Sequence, residues 1–293
     1  MSLELCILAS GSMGNCSVVR LPARAGDGVM LIDAGIGPRV TAQRMNGTGV
    51  CVRDVRAICL THLDGDHFRP SWLGTIVRHG IRVFCHESRR HDLLRGAIDD
   101  QTDAANQRRF RALVYGFNGE PFAPLEGLSV RSIPLAHDQL GSHAFLIDGF
   151  NARIGYATDF GRVPRELIEA LSDADVLAVE SNYDPEMQLT SGRPWFLKHR
   201  IMGGRGHLSN GQALELIRAV LDRCQRKKRR LPEHIVLLHR SRQCNCPRLV
   251  RELFEADERI RPRLTLGEPF HRTEWIRPSA VRPHVGEQLP LAW

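Results

Sequence analysis

The chain has 293 residues, 42% hydrophobic and 25% charged, which suits a folded soluble protein and excludes wholesale disorder. No apolar run approaches the roughly 20 residues of a membrane span, and Met1-Ser2-Leu3-Glu4-Leu5 lacks the cationic lead and long apolar stretch of a secretory signal, so a cytoplasmic location and no membrane contact are expected. The net charge of +7 is local: residues 193–230 hold 11 basic side chains against Glu215 and Asp222, a patch that suits a polyanion or, equally, a solvated helix end.

Strand-like runs come first, at residues 3–8, 17–21, 29–32, 57–60 and 82–85, several of them β-branched and bounded by Gly, Pro or Asp. Residues 88–120 are polar and arginine-rich and read as a surface excursion with weak helical character. A second set of strands follows at 129–133, 144–147, 153–157 and 176–179, then 235–238 and 263–266. Helical patterns lie between them. Ala213, Leu216, Ile217, Val220, Leu221 and Cys224 share one face, with Asn210 as the expected N-cap. Residues 164–171, with Pro at the first turn, and 247–259 read as further helices. From residue 278 the chain is Pro-rich and reads as a surface arm. Eight scattered cysteines suit reduced thiols, and Cys244-Asn245-Cys246 is too tightly spaced for a zinc knuckle. Strands early and late with helices outside predict a layered α/β sandwich in one domain.

The densest cluster of ligand-type side chains is His62-Leu63-Asp64-Gly65-Asp66-His67, directly after the run 57–60. Four potential ligands within six residues point to metal binding, and mixed imidazole and carboxylate donors suit Zn, Mn or Fe. Other candidates also follow strands: His137, Asp159 and His239. A lone polar residue there is ordinarily a loop start. Strand ends of a layered α/β fold gather on one edge, however, so these residues can surround one pocket. Glu180 and His207 are open at this point to a surface or capping-loop role as well as a functional one.

In this order the residues resemble the metallo-β-lactamase superfamily, whose first loop reads His-x-His-x-Asp-His. Residues 8–15 (Leu-Ala-Ser-Gly-Ser-Met-Gly-Asn), Leu31-Ile32-Asp33-Ala34-Gly35-Ile36, Glu180-Ser181-Asn182-Tyr183-Asp184, Lys198-His199-Arg200-Ile201 and Gly206-His207-Leu208-Ser209-Asn210 are similar to its WalJ (YycJ)-type branch, regarded as DNA-processing exonucleases. The resemblance spans about residues 3–246. It implies a four-layer αββα sandwich, here assigned to residues 1–277, with the arm over 278–293. It also implies two divalent metal ions. His62, Asp64 and His137 would hold one, Asp66, His67 and His239 the other, and Asp159 would bridge them. Glu180 and His207 match an acid–histidine pair of the tRNA-processing ribonuclease Z branch that helps protonate a leaving group.

Two departures stand out. Asp64 occupies a position where the family has His; it leaves open a harder first site favouring Mn or Fe, a loosely held first metal, or a single metal, and the first is preferred because a carboxylate suits a divalent cation. Around residues 238–245 the branch carries Leu-Ser and Asn-Asn, of which Ser241 and Asn245 remain beside His239.

The expected function is a phosphodiesterase, a nuclease of exonuclease type on DNA or RNA, with nucleic acid as partner. A metal-bridging hydroxide would attack phosphorus. Asp66, Glu180 and His207 would carry catalysis, His207 donating a proton to the leaving oxygen. Amides at Ser209 and Asn210 would bind a phosphate, and Lys227, Lys228, Arg229 and Arg230 the strand backbone. The loop holding Gly11, Gly14 and Asn15 either approaches the substrate or is a simple hairpin turn. The alternatives are a hydrolase of a small ester, thioester or phosphodiester on the same fold, and a nucleic-acid-binding protein with an attenuated metal site.

Overall fold

A computed structural model describes residues 2–22, 28–98 and 102–279. Twelve strands among these residues form two six-stranded sheets. The first sheet contains β1 (Glu4–Ala9), β2 (Cys16–Arg20), β3 (Val29–Ile32), β4 (Val55–Cys59), β5 (Arg82–His86) and β6 (Val114–Phe117), in that order. The second contains β7 (Ser129–Leu135), β8 (Ser142–Gly149), β9 (Ala152–Ala157), β10 (Val176–Glu180), β11 (His234–Leu238) and β12 (Leu264–Leu266). Each sheet begins with two antiparallel pairings and continues with three parallel ones.

Alternation along the strands explains the layers. Leu5, Ile7, Met30, Ile32, Ala57 and Cys59 of the first sheet meet Ile154, Tyr156, Val176, Ala178, Val236 and Leu238 of the second. The intervening residues face outward. On the first sheet Cys6, Leu8, Leu31 and Ile58 pack under helices α1 (Pro38–Met45), α2 (Leu73–His79), α3 (Arg90–Ala97) and α4 (Ala104–Leu113). On the second sheet Leu177, Val179, Ile235 and Leu237 pack under α5 (Arg165–Leu171), α8 (Asn210–Arg226) and α9 (Pro247–Glu255). Between β10 and α8 run two short helices, α6 (Pro185–Thr190) and α7 (Trp195–Met202). The architecture is a four-layer αββα sandwich.

The excursion expected at residues 88–120 is instead part of the sandwich. Leu93, Ala97 and Phe110 are buried on the outer face of the first sheet, Asp103 caps α4 by accepting from the Ala105 and Asn106 amides, and β6 forms an edge strand. The capping residue of α8 is Ser209, one position before the expected Asn210; its hydroxyl accepts from Gln212 N while the Gln212 side chain accepts from Ser209 N. The chain beyond β12 returns to β1, where Leu5 and Ile276 exchange backbone hydrogen bonds and Thr273 N donates to Ile7 O, closing an otherwise open sheet edge. Of the expected arm, only Pro278 and Ser279 are described, held by Ser2 and Glu233; residues 280–293 lie outside the described residues.

Candidate metal centre and its surroundings

The parallel strands of both sheets end at one edge. The loop after β4 carries His62, Asp64, Asp66 and His67, His137 follows β7, Asp159 follows β9, Glu180 ends β10, and His239 follows β11. His207 comes from the loop before α8. Their ligand-type atoms form four overlapping groups, each within 4.8 Å: His62 with Asp64 and His137; His62 with His67 and Asp159; Asp66 with His67 and His239; and Asp159 with Glu180, His207 and His239. All seven expected metal ligands and the acid–histidine pair are thus brought together. Asp64 is the most exposed of them, its side chain 51% accessible, with Oδ2 3.8 Å from His62 Nε2 and 4.0 Å from His137 Nε2.

Three imidazoles are oriented from behind. His67 Nδ1 lies 2.7 Å from Asp33 Oδ2, and Asp33 also accepts from Thr61 N at 2.8 Å and Thr61 Oγ1 at 2.9 Å. His137 Nδ1 donates to Gly206 O at 3.1 Å. His207 Nδ1 is 2.7 Å from Glu180 Oε1, while Glu180 Oε2 accepts from Phe160 N. Each contact leaves Nε2 directed at the common site, the arrangement that sets a ligand's tautomer and ring plane. His239 Nε2 is buried without a hydrogen-bond partner. An orphaned imidazole nitrogen among carboxylates is costly unless a Lewis acid takes its lone pair, so the donor set fits divalent cations.

The acids and imidazoles act strongly on one another. Burial pushes the Asp159 carboxyl upward, but His239 and His67 outweigh it and hold the group well below the usual carboxylate range. Burial opposes charge on His239, yet Asp159, Asp66 and Glu180 raise its pKa to about 10. Burial and the neighbouring His67 push His62 well down.

Local sequence explains how the loops meet. Asp33, Asp159 and His239 have φ of 61°, 56° and 52°, a left-handed turn that carries each side chain over the sheet edge. A Cβ at Gly35 would lie 1.7 Å from Asp66 O, so only glycine lets that backbone touch the ligand loop. Asn15 N donates to the same carbonyl at 2.7 Å, and Asn15 Nδ2 lies 2.9 Å from His67 Nε2. The loop after β1 therefore braces the ligand loop and is more than a hairpin turn. Ser10 Oγ accepts from His239 N at 2.7 Å, and Asn245 bonds Asn210 and the carbonyls of Ser181 and Asn182.

Six residues expected to bind substrate lie elsewhere. Ser209 and Asn210 are buried, and their amides already donate to Gln212 Oε1 and Tyr183 O; the Asn210 side chain is spent on Ser181 and Asn245. Neither amide is free for a phosphate. Lys227, Lys228, Arg229 and Arg230 sit past the far end of a 17-residue helix, about 25 Å from its start at 1.5 Å per residue. There Arg229 pairs with Asp173, and Arg230 lies 4.0 Å from Glu233. The cations near the site come from other segments. A cavity of about 680 Å³ beside His62, Asp64 and His137 is lined by Arg89, Arg162, Arg200 and Arg205. A second, of about 420 Å³, holds Asp66, Asp159, His207 and His239 with Arg193 and Arg200. Arg193, Arg200 and Arg205 belong to the basic segment 193–230, whereas Arg89 and Arg162 lie apart from it in sequence. Asp33 was legible only as part of the Leu31–Ile36 similarity.

Comparison with known proteins agrees with this geometry. Residues 29–235 match the family model described as a β-lactamase superfamily domain. The chain is 26% identical over 253 residues to exodeoxyribonuclease YycJ of Bacillus anthracis, covering 86% of this chain and 87% of that one. It is 24% identical over 258 residues to exodeoxyribonuclease WalJ of Streptococcus pneumoniae, covering 86% and 88%. The unliganded yeast PDE1 structure superposes with a TM-score of 0.64 at 11% identity, over 93% of this chain and 99% of that one. With the family model spanning most of its length and both sheets in place, the chain belongs to the β-lactamase superfamily and has the metallo-β-lactamase fold of that superfamily's hydrolases.

Proposed function

We propose that the protein is a metal-dependent phosphodiesterase acting on nucleic acid as a nuclease, with His62, Asp64 and His137 holding one divalent cation, Asp66, His67 and His239 a second, and Asp159 between them. The reading rests on one observation: seven ligand-type side chains from four strand-end loops converge beside the Glu180–His207 pair. Divalent cations bound there lower the pKa of water and neutralise charge on a phosphoryl group. The protein's own residues do the rest. Asp33 and the Gly206 carbonyl hold His67 and His137 with Nε2 forward. Glu180, fully buried, takes the Nδ1 proton of His207 in a 2.7 Å hydrogen bond and aims Nε2 into the cavity. From there His207 donates a proton to the leaving oxygen, a contribution of roughly 10²- to 10⁴-fold. Asp64 ligates through oxygen where an imidazole would give nitrogen, which favours Mn or Fe over Zn.

Arginines around the cavity favour a polyanion over a small neutral ester, and the names of the YycJ and WalJ relatives support the same substrate class. The test joins elemental analysis to digestion of 5′- and 3′-labelled DNA and RNA strands. Two metal equivalents and stepwise shortening from one end are expected. Full occupancy in both Asp66→Ala and His67→Ala would remove the second-site assignment, and intact strands with a fully loaded protein would remove the nuclease reading.

A further inference from the structure

Between β10 and α8 the chain leaves the sandwich, and residues 192–205 of this excursion hold Arg193, Lys198, Arg200 and Arg205 with no acidic residue. At the start of α7, Trp195 and Phe196 are 70% and 74% exposed. Two adjacent aromatics left in water form a contiguous apolar patch of the kind that marks an interaction site. Four residues on stand His199 and Arg200, which line the larger cavity beside His62 and Asp64. Positions i and i+4 share a helix face, so each aromatic precedes a cavity-lining residue by one turn, about 6 Å along the axis. Arg200 is committed to Asp138. Arg162 and Arg205, exposed in the same cavity, make no ion pair among the described residues.

We propose that Trp195 and Phe196 are a base-stacking platform for unpaired nucleotides of a single-stranded nucleic acid whose backbone enters the arginine-lined cavity. The proposal rests on the phosphodiesterase reading and adds the form of the substrate. Aromatic faces beside cations are what a single strand needs: every base offers a π-face, and every phosphate a charge. A duplex hides those faces in its own stack. Charge also decides against a second copy of the chain as the occupant, since a two-fold contact through this face would set Arg193 and Lys198 against their own equivalents.

The test uses metal-loaded protein and a fluorescein-labelled phosphorothioate oligothymidylate of about 12 nucleotides, alone and paired with its complement, followed by anisotropy. The double variant Trp195→Leu/Phe196→Leu keeps apolar side chains and removes both rings; Trp195→Phe/Phe196→Tyr keeps rings. The leucine pair is expected to weaken single-strand binding by about thirtyfold or more, and the aromatic pair to stay within about threefold of the wild type. Both side chains are exposed, so melting temperature and sedimentation verify the fold. Single-strand binding by the leucine pair equal to the wild type overturns the platform. So does a wild-type dimer that the leucine pair dissolves at unchanged strand affinity, which would make the face an interface between copies. Hydrolysis of bis(p-nitrophenyl) phosphate by the wild type is read separately: its absence overturns the phosphodiesterase reading, and its presence together with undiminished single-strand binding by the leucine variant overturns the platform alone.

Discussion

Asp33→Asn isolates the orientation of His67 from its presence. The native carboxylate receives Thr61 N, Thr61 Oγ1 and His67 Nδ1 within 2.9 Å and is fully buried. Asparagine has the same shape. Its oxygen can still accept from Thr61, but its amide then presents N–H to His67 Nδ1. The imidazole answers by placing its hydrogen on Nε2, the nitrogen that should face a cation. One charge-assisted hydrogen bond is lost, worth about 1.5–3 kcal/mol, which is roughly 10- to 150-fold in an equilibrium constant. Removing such outer partners ordinarily costs about 10- to 100-fold in metal affinity, so two independent routes agree. The assay is competition against a chelator of known affinity, with cations added stepwise and occupancy read by elemental analysis. The loss should fall on the site served by His67 and spare the one served by His62 and His137. A variant with a wild-type melting temperature and metal affinity within about twofold of the wild type would refute the argument that Asp33 fixes the tautomer.

Asp64→His should shift preference between Mn and Zn towards Zn by about tenfold or more, because nitrogen replaces oxygen at one site; competitive loading read by elemental analysis checks it, and an unchanged ratio means Asp64 is no ligand. Neutralising Lys227, Lys228, Arg229 and Arg230 together should leave the salt dependence of strand binding unaltered, whereas Arg162→Gln/Arg205→Gln should flatten it by about 0.7 per lost phosphate contact; a flattened slope in the first variant would return the helix end to the substrate path. His143 stacks on His86 at 4.7 Å, and burial with that neighbour lowers its pKa to about 4. The folded state therefore holds His143 neutral while the unfolded chain protonates near 6.5, so this stability is present above 6.5 and lost as pH falls towards 4. His143→Phe should lack that component, worth about 2–3 kcal/mol; a stability difference from the wild type that is constant between pH 4 and 7 would exclude it.

How much of this was legible depends on whether a feature is local. Buried β-branched runs announced eleven strands because each is short, apolar and punctuated. β6 escaped notice because Val114-Tyr115-Gly116-Phe117 is a four-residue edge with a glycine inside it and two exposed positions. The candidate ligands were legible because four of them share six residues and the others each follow a strand. The arginines of the cavity come from positions 89, 162, 200 and 205, and no window of sequence shows them as a group. The dense basic run misled for the converse reason. Its residues are joined by one helix to the loop that carries His207, yet seventeen helical residues carry the chain about 25 Å away before they appear.

The repeated order of the sheets explains why ligands follow so many strands. In both, two antiparallel pairings precede three parallel ones, so parallel strands deliver their ends to the same edge. Asp33 ends β3, the His62 loop leaves β4, and Asp159, Glu180 and His239 mark the ends of β9, β10 and β11. Three of these residues take the left-handed conformation at a cost of roughly 1–2 kcal/mol each for a side chain with a Cβ. A glycine at any of them would relieve the strain and lose the donor. Strain concentrated where acids and imidazoles meet, and largely absent from the equivalent ends of β5 and β6, marks that edge as the place where the fold gives up stability to hold charged groups in register for cations.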